Sequence, residues 1–103
     1  MTRSHFERLV SEAITTVPAV IAPTLKNLAV VVENAPPAAD PDLYGRFEAH
    51  GHSDARIVIF MRPLVEDCAD DDELRQEIQR TVVHEIGHHL GMDDAHLDRL
   101  SFG

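Results

Sequence analysis

Fourteen residues, "TVVHEIGHHLGMDD" from Thr81 to Asp94, restrict what this 103-residue chain can be more than any other stretch. His84 and His88 stand four positions apart. On a helix turning about 100° per residue they fall about 40° apart on one face, one turn from each other. Two imidazoles placed that way can reach one Zn²⁺ at about 2.0–2.1 Å each. Glu85 projects beside the pair, where a carboxylate can take a proton from a water that the metal has made acidic. The segment is therefore expected to be helical and to carry Glu85 as general base.

A catalytic zinc takes three protein ligands and keeps one position open. Zincins that use a distant downstream Glu place it roughly two dozen or more residues past the motif, and this sequence has no such residue. Gly91 can adopt positive φ and turn the backbone back toward the histidines. Asp94, six residues past His88, is then the expected third ligand, with His96 as second choice. Chance alone spells His-Glu-x-x-His in roughly 3–4% of shuffles of so His-rich a composition, and the added Gly91 and Asp94 lower that to roughly 0.02%.

Nine Lys plus Arg stand against 18 Asp plus Glu, a formal net charge of −9. Phosphate binding draws on clustered cations, and Lys26 is the lone lysine, so nucleic acid is not an expected partner. Cys68 is alone and excludes both an internal disulfide and a cysteine-rich zinc finger. No apolar run approaches the roughly 18 residues of a membrane span, and Glu7 and Glu12 interrupt the N-terminal segment. The expected setting is a reduced cytoplasm, without membrane attachment.

The length suits a single domain, 1–103. Phe6, Leu9, Val10, Ala13, Ile14 and Val17 recur at helical spacing, and Pro18 closes that helix. The Val-rich run within Lys26–Pro37 reads as a buried strand, followed by a loop through "APPAADPD". Tyr44–Gly51 and Ala55–Pro63 read as two strands flanking the "HGHSD" turn, a hairpin if they pair directly. Asp67–Gly91 reads as one long helix, with Asp70 and Glu73 as a capping box and Gly91 as its stop. A short last helix follows from Asp93 or Asp94. The expected fold is α+β: an N-terminal helix on a small mixed or antiparallel sheet of about three strands, the long helix across it, and the short C-terminal helix.

The other polar residues read more plainly. His89 falls on the apolar side of the long helix and is expected in the core or behind a ligand. Asp93 is expected to be solvated or to cap. His50, His52 and Asp54 read as an ordinary polar hairpin loop rather than a second metal site. The run Asp67–Glu73 lacks the ligand alternation of a calcium loop and reads as a helix start. Cys68 reads as a passive small side chain. Tyr44, His50, His52 and Arg99 are all candidates to stabilise an oxyanion.

"HEIGHHLGMDD" resembles the extended zincin motif His-Glu-x-x-His-x-x-Gly-x-x-Asp, the Asp-ended relative of the metzincin form. With "RIVIFMRPL" and the Val-rich strand before it, the chain from about Leu28 onward is similar to a family of very small bacterial zincin-like metallopeptidases. The resemblance implies a minimal zincin core, zinc at His84, His88 and Asp94, and Glu85 as base in peptide hydrolysis. The expected substrate is a short or flexible peptide. Met92 falls inside the motif, so the downstream Met-turn of true metzincins is missing. Two other readings compete. A non-catalytic zinc-binding or partner-binding module could retain the same core. A metal-dependent endoribonuclease is the third, since one bacterial RNA-processing family has ligands at the same i, i+4, i+10 spacing. There, however, Glu85 replaces a Gly and Asp94 a His, and the net charge disfavours an RNA groove.

Overall fold

The computed structural model describes residues 1–50 and 54–102, with positions 50, 54, 98 and 100–102 as backbone alone. Helix α1 (Arg3–Ile14) opens with Thr2, whose hydroxyl accepts from His5 N at 3.1 Å, and buries Phe6, Leu9, Val10 and Ala13. That is the i, i+3, i+4, i+7 stripe of the sequence. A single turn, α2 (Ala22–Leu25), leads into strand β1 (Ala29–Glu33). Strands β2 (Gly45–His50) and β3 (Asp54–Phe60) form the hairpin. Three helices complete the described chain: α3 (Met61–Asp67), α4 (Asp71–His89) and α5 (Asp94–Phe102).

The sheet is mixed, in the order β1-β3-β2. β3 pairs in parallel with β1 (Val31 opposite Val58) and antiparallel with β2 (Phe47 opposite Ile57). Its central position explains why Ile57, Val58, Ile59 and Phe60 are all fully buried instead of alternating. Ile57 and Ile59 join the main core with Leu74, Ile78, Val82 and Ile86 of α4 and the buried stripe of α1. Val58 and Phe60 face the other way. There Glu48 binds Arg46 at 2.6 Å and Arg56 at 2.7 Å, and the Arg46 guanidinium lies 6.0 Å from the centre of the Phe60 ring. The arginine stems cover apolar surface while their heads stay in water.

Two boundaries differ from the sequence reading. The segment read as strand through Pro63 leaves the sheet at Phe60 and coils into α3. Pro63 sits in the first turn of that helix, where its missing N–H costs nothing. The helix read from Asp67 begins at Asp71 instead, because Cys68 is extended (φ −107°, ψ 139°) and breaks the path between α3 and α4. Asp70 caps α4 as expected, accepting from Glu73 N at 2.8 Å, with Asp71, Asp72 and Glu73 at the positive helix end. No helix among the described residues is long and apolar enough to cross a membrane.

Candidate metal centre

α4 ends in a Schellman motif. Gly91, at φ +85°, is the one positive-φ position among the described residues. Its N–H bonds to His88 O at 3.0 Å, and Met92 N–H bonds back to Gly87 O at 2.9 Å. The reversal carries the chain straight into α5. Asp93 caps that helix, its Oδ1 accepting from His96 N at 2.8 Å. Asp94 is the first residue of α5, and its side chain is turned to the end of α4, with Oδ1 2.7 Å from His88 Nε2.

His84 and His88 stand one turn apart with ring centres separated by 6.1 Å and planes crossing at 80°. Each of His84, His88 and Asp94 offers a ligand atom, and the three atoms lie within 4.8 Å of one another. His84 is half-buried and its partners are exposed, so the cluster opens to solvent on one side. Two imidazole nitrogens and one carboxylate oxygen, with an open side, are a donor set that suits a catalytic zinc. The proton shared between His88 and Asp94 is one that a bound cation would displace, since both groups ligate in their deprotonated forms.

Glu85 lies between this cluster and the sheet. Its Oε1 accepts from Phe47 N–H at 3.2 Å. Phe47 is on β2, an edge strand, and its N–H faces away from β3 toward the helix. Partial burial raises the Glu85 carboxyl above the ordinary range; the Phe47 N–H and the nearby His88 and His84 pull it back down. A half-desolvated carboxylate fixed by one backbone donor, beside two imidazoles, is placed to handle protons at the cluster.

A family model described as zincin-like metallopeptidase matches residues 25–103, more than half of the chain and all of the elements that build this cluster. The chain belongs to the zincin-like metallopeptidase family. No curated protein matches the sequence. Zincins bind zinc, and in this zincin-like chain the family's match takes in the sheet, α4 and α5 together.

The remaining candidates separate on inspection. His89 is a correction: it is exposed rather than in the core, with its ring stacked on Phe47 at 4.1 Å between centres and 21° between planes. It lies three residues past Ile86, which is still in the core, and its ring covers Phe47 from the solvent side. His96 is exposed in the first turn of α5 and is not part of the converging group. Tyr44 donates to Asp67 Oδ2 at 2.5 Å; that bond, with partial burial and the charges of Asp67 and Glu77, pushes its hydroxyl pKa well up. Arg99 is exposed on α5. His52 and the side chains of His50 and Asp54 lie outside the described residues, and with them the question of a second metal in the hairpin loop. Burial, reinforced by Glu73, Glu77, Asp67 and Asp70, pushes the Cys68 thiol up to about 11, so at neutral pH it is a passive neutral group.

Sequence reasoning passed over two glycines that set the geometry. A Cβ on Gly87 would lie 2.0 Å from Leu97 Cδ2. The bare backbone at Gly87 is what lets α5 dock on α4 closely enough to present Asp94. A Cβ on Gly45 would lie 2.8 Å from both Thr81 Cγ2 and Val58 O, so the bare backbone there lets β2 seat against the Thr81 side chain of α4. The available signal was Gly87 itself, since a glycine inside a helix costs about 1 kcal/mol relative to alanine and calls for a packing reason.

Proposed function

We propose that this protein is a zinc-dependent peptidase in which His84, His88 and Asp94 hold the metal and Glu85 is the general base. The convergence of the three ligand atoms within 4.8 Å, next to Glu85, carries this reading. Zinc, when bound, supplies Lewis acidity at this point, polarising a scissile carbonyl and making the attacking water acidic near neutral pH. Glu85 takes the proton of that water and returns it to the departing amine, which completes the hydrolysis of the amide. The Phe47 N–H holds the carboxylate on the strand side of the cluster while it does so.

The substrate is a short or flexible peptide. Among the described residues β2 is an outer strand of the sheet beside α4, and an extended peptide can add to such a strand through main-chain bonds next to Phe47, whose N–H holds Glu85. The formal charge of −9 weighs against RNA.

Metal analysis of the purified protein, paired with cleavage of a peptide library, tests the reading. The wild type is expected to bind one zinc and to cut peptides. Glu85→Ala is expected to keep its zinc and lose turnover by about 10²–10⁴-fold. Unchanged turnover in that variant would remove Glu85 from the mechanism. Zinc that raises the melting temperature without any cleavage would instead identify a non-catalytic module.

A further inference from the structure

Thr81, Glu85 and His89 recur every four residues and form one stripe along the second half of α4. All three meet β2. The Thr81 methyl group lies 2.8 Å from where a Cβ on Gly45 would stand. Glu85 Oε1 accepts from Phe47 N–H at 3.2 Å. The His89 ring stacks on the Phe47 ring, 4.1 Å between centres and 21° between planes. The contact to Glu85 is therefore flanked on both sides by packing between the same helix and the same strand.

The ladder of the sheet does not hold that donor. Phe60 N–H bonds to Tyr44 O at 2.8 Å, and the register sets Arg46 opposite Val58 and Phe47 opposite Ile57. Hydrogen-bonded pairs alternate along an antiparallel ladder, so Arg46 turns its main-chain groups to β3 and Phe47 turns its own outward. Among the described residues no strand lies beyond β2 to fix that outward side. The ring of the same residue is fixed instead, by His89, which is exposed and is not one of the three residues that converge as metal ligands. We infer that His89 is a positioning residue for Glu85: its ring clamps Phe47 and so keeps the Phe47 N–H on the carboxylate. The stack uses the face of the ring, which a phenyl group also offers, and not the imidazole nitrogens. The inference rests on the peptidase reading, in which Glu85 is the base.

The test compares full-length wild type, His89→Ala and His89→Phe. In NMR spectra recorded with and without zinc, the Phe47 amide resonance is expected to move in His89→Ala toward its position in Glu85→Ala. Exchange of that amide with solvent is expected to quicken about 3–10-fold, the equivalent of losing one ordinary aromatic pair. In zinc-loaded protein kcat for peptide cleavage is expected to fall by a similar factor, while zinc affinity stays within about twofold of wild type. His89→Phe should restore both the amide and the turnover. Phe47→Leu removes the stack from the strand side, and combining it with His89→Ala should cost no more than the larger single loss. A Phe47 amide that does not respond to His89→Ala, or a loss that His89→Phe does not recover, overturns the positioning role. A wild type that cuts no peptide while the Phe47 amide responds as expected overturns the peptidase reading and leaves His89 as the group that holds the Glu85 carboxylate in place.

Discussion

The two halves of α4 belong to one helix and are held in different ways. From Asp71 to Gln79 the helix is anchored several times over. Asp70 caps it, Leu74 and Ile78 are buried in the core, and Arg75 and Asp71 reach α1 through Glu12 (3.0 Å) and His5 (2.8 Å). From Thr81 to His89 the apolar stripe continues through Val82 and Ile86, but the polar side chains rest on few contacts. The Glu85 carboxylate is set by one backbone donor, His88 by one carboxylate, and the docking of α5 by the notch at Gly87. Both halves bury apolar side chains, Leu74 and Ile78 in the first and Val82, Val83 and Ile86 in the second, and the difference lies in the polar contacts. The first half adds a cap and two links to α1, whereas the second half directs its polar groups at the cluster.

Substitutions in the first half of α4 and at the cluster its second half helps to build should separate polar anchoring and core packing from metal binding. Ile78→Ala removes a fully buried side chain from the anchored half. It is expected to lower the unfolding free energy by about 2–5 kcal/mol in urea denaturation, while the protein that remains folded binds zinc normally. Asp94→Ala should do the reverse. Zinc affinity is expected to fall by about 100-fold or more, the upper end for groups that merely support a ligand. The metal-free urea midpoint should barely move, because Asp94 is exposed. If both variants changed both quantities alike, the separation of core packing from the cluster would be wrong.

Gly87→Ala tests how packing and the cluster are coupled, because Gly87 is where α5 docks on α4. Its methyl group meets Leu97, and overpacking of this kind costs about 1–3 kcal/mol. Zinc affinity should fall in parallel as α5 is pushed away, and the double variant Gly87→Ala/Leu97→Ala should recover part of it. Asp70→Ala gives the smallest effect: loss of the cap should cost about 0.5–2 kcal/mol of stability with no change in zinc affinity.

What the sequence made legible follows the same division of forces. Local chemistry was readable: the His84–His88 spacing, the turn at Gly91, the cap at Asp70 and the hairpin of β2 and β3. A choice between two adjacent acids was harder, because Asp93 and Asp94 are chemically equivalent on paper. Only the path set by the Gly91 turn gives capping to Asp93 and the contact with His88 to Asp94. The parallel pairing of β1 with β3 joins segments distant in sequence and has no local signature. α3 was missed because Phe60 offers no side-chain cap and the apolar run "RIVIFM" reads through the strand end without a break. His89 was misplaced because a helical wheel gives direction around the axis but not which neighbour stands there, and at that position it is the Phe47 ring of the outer strand.

The notch at Gly87 has a thermodynamic consequence for the metal. α5 spans nine residues, too few to persist as a helix in water on its own. Its order depends on Leu97 seated against Gly87 and on the cap at Asp93. On the proposed reading Asp94 acts as a ligand only in the fraction of molecules in which α5 is docked, and the apparent dissociation constant for zinc is expected to be the intrinsic one divided by that fraction. By reciprocity, zinc closes the latch it depends on, and amide exchange in α5 should slow as the site fills.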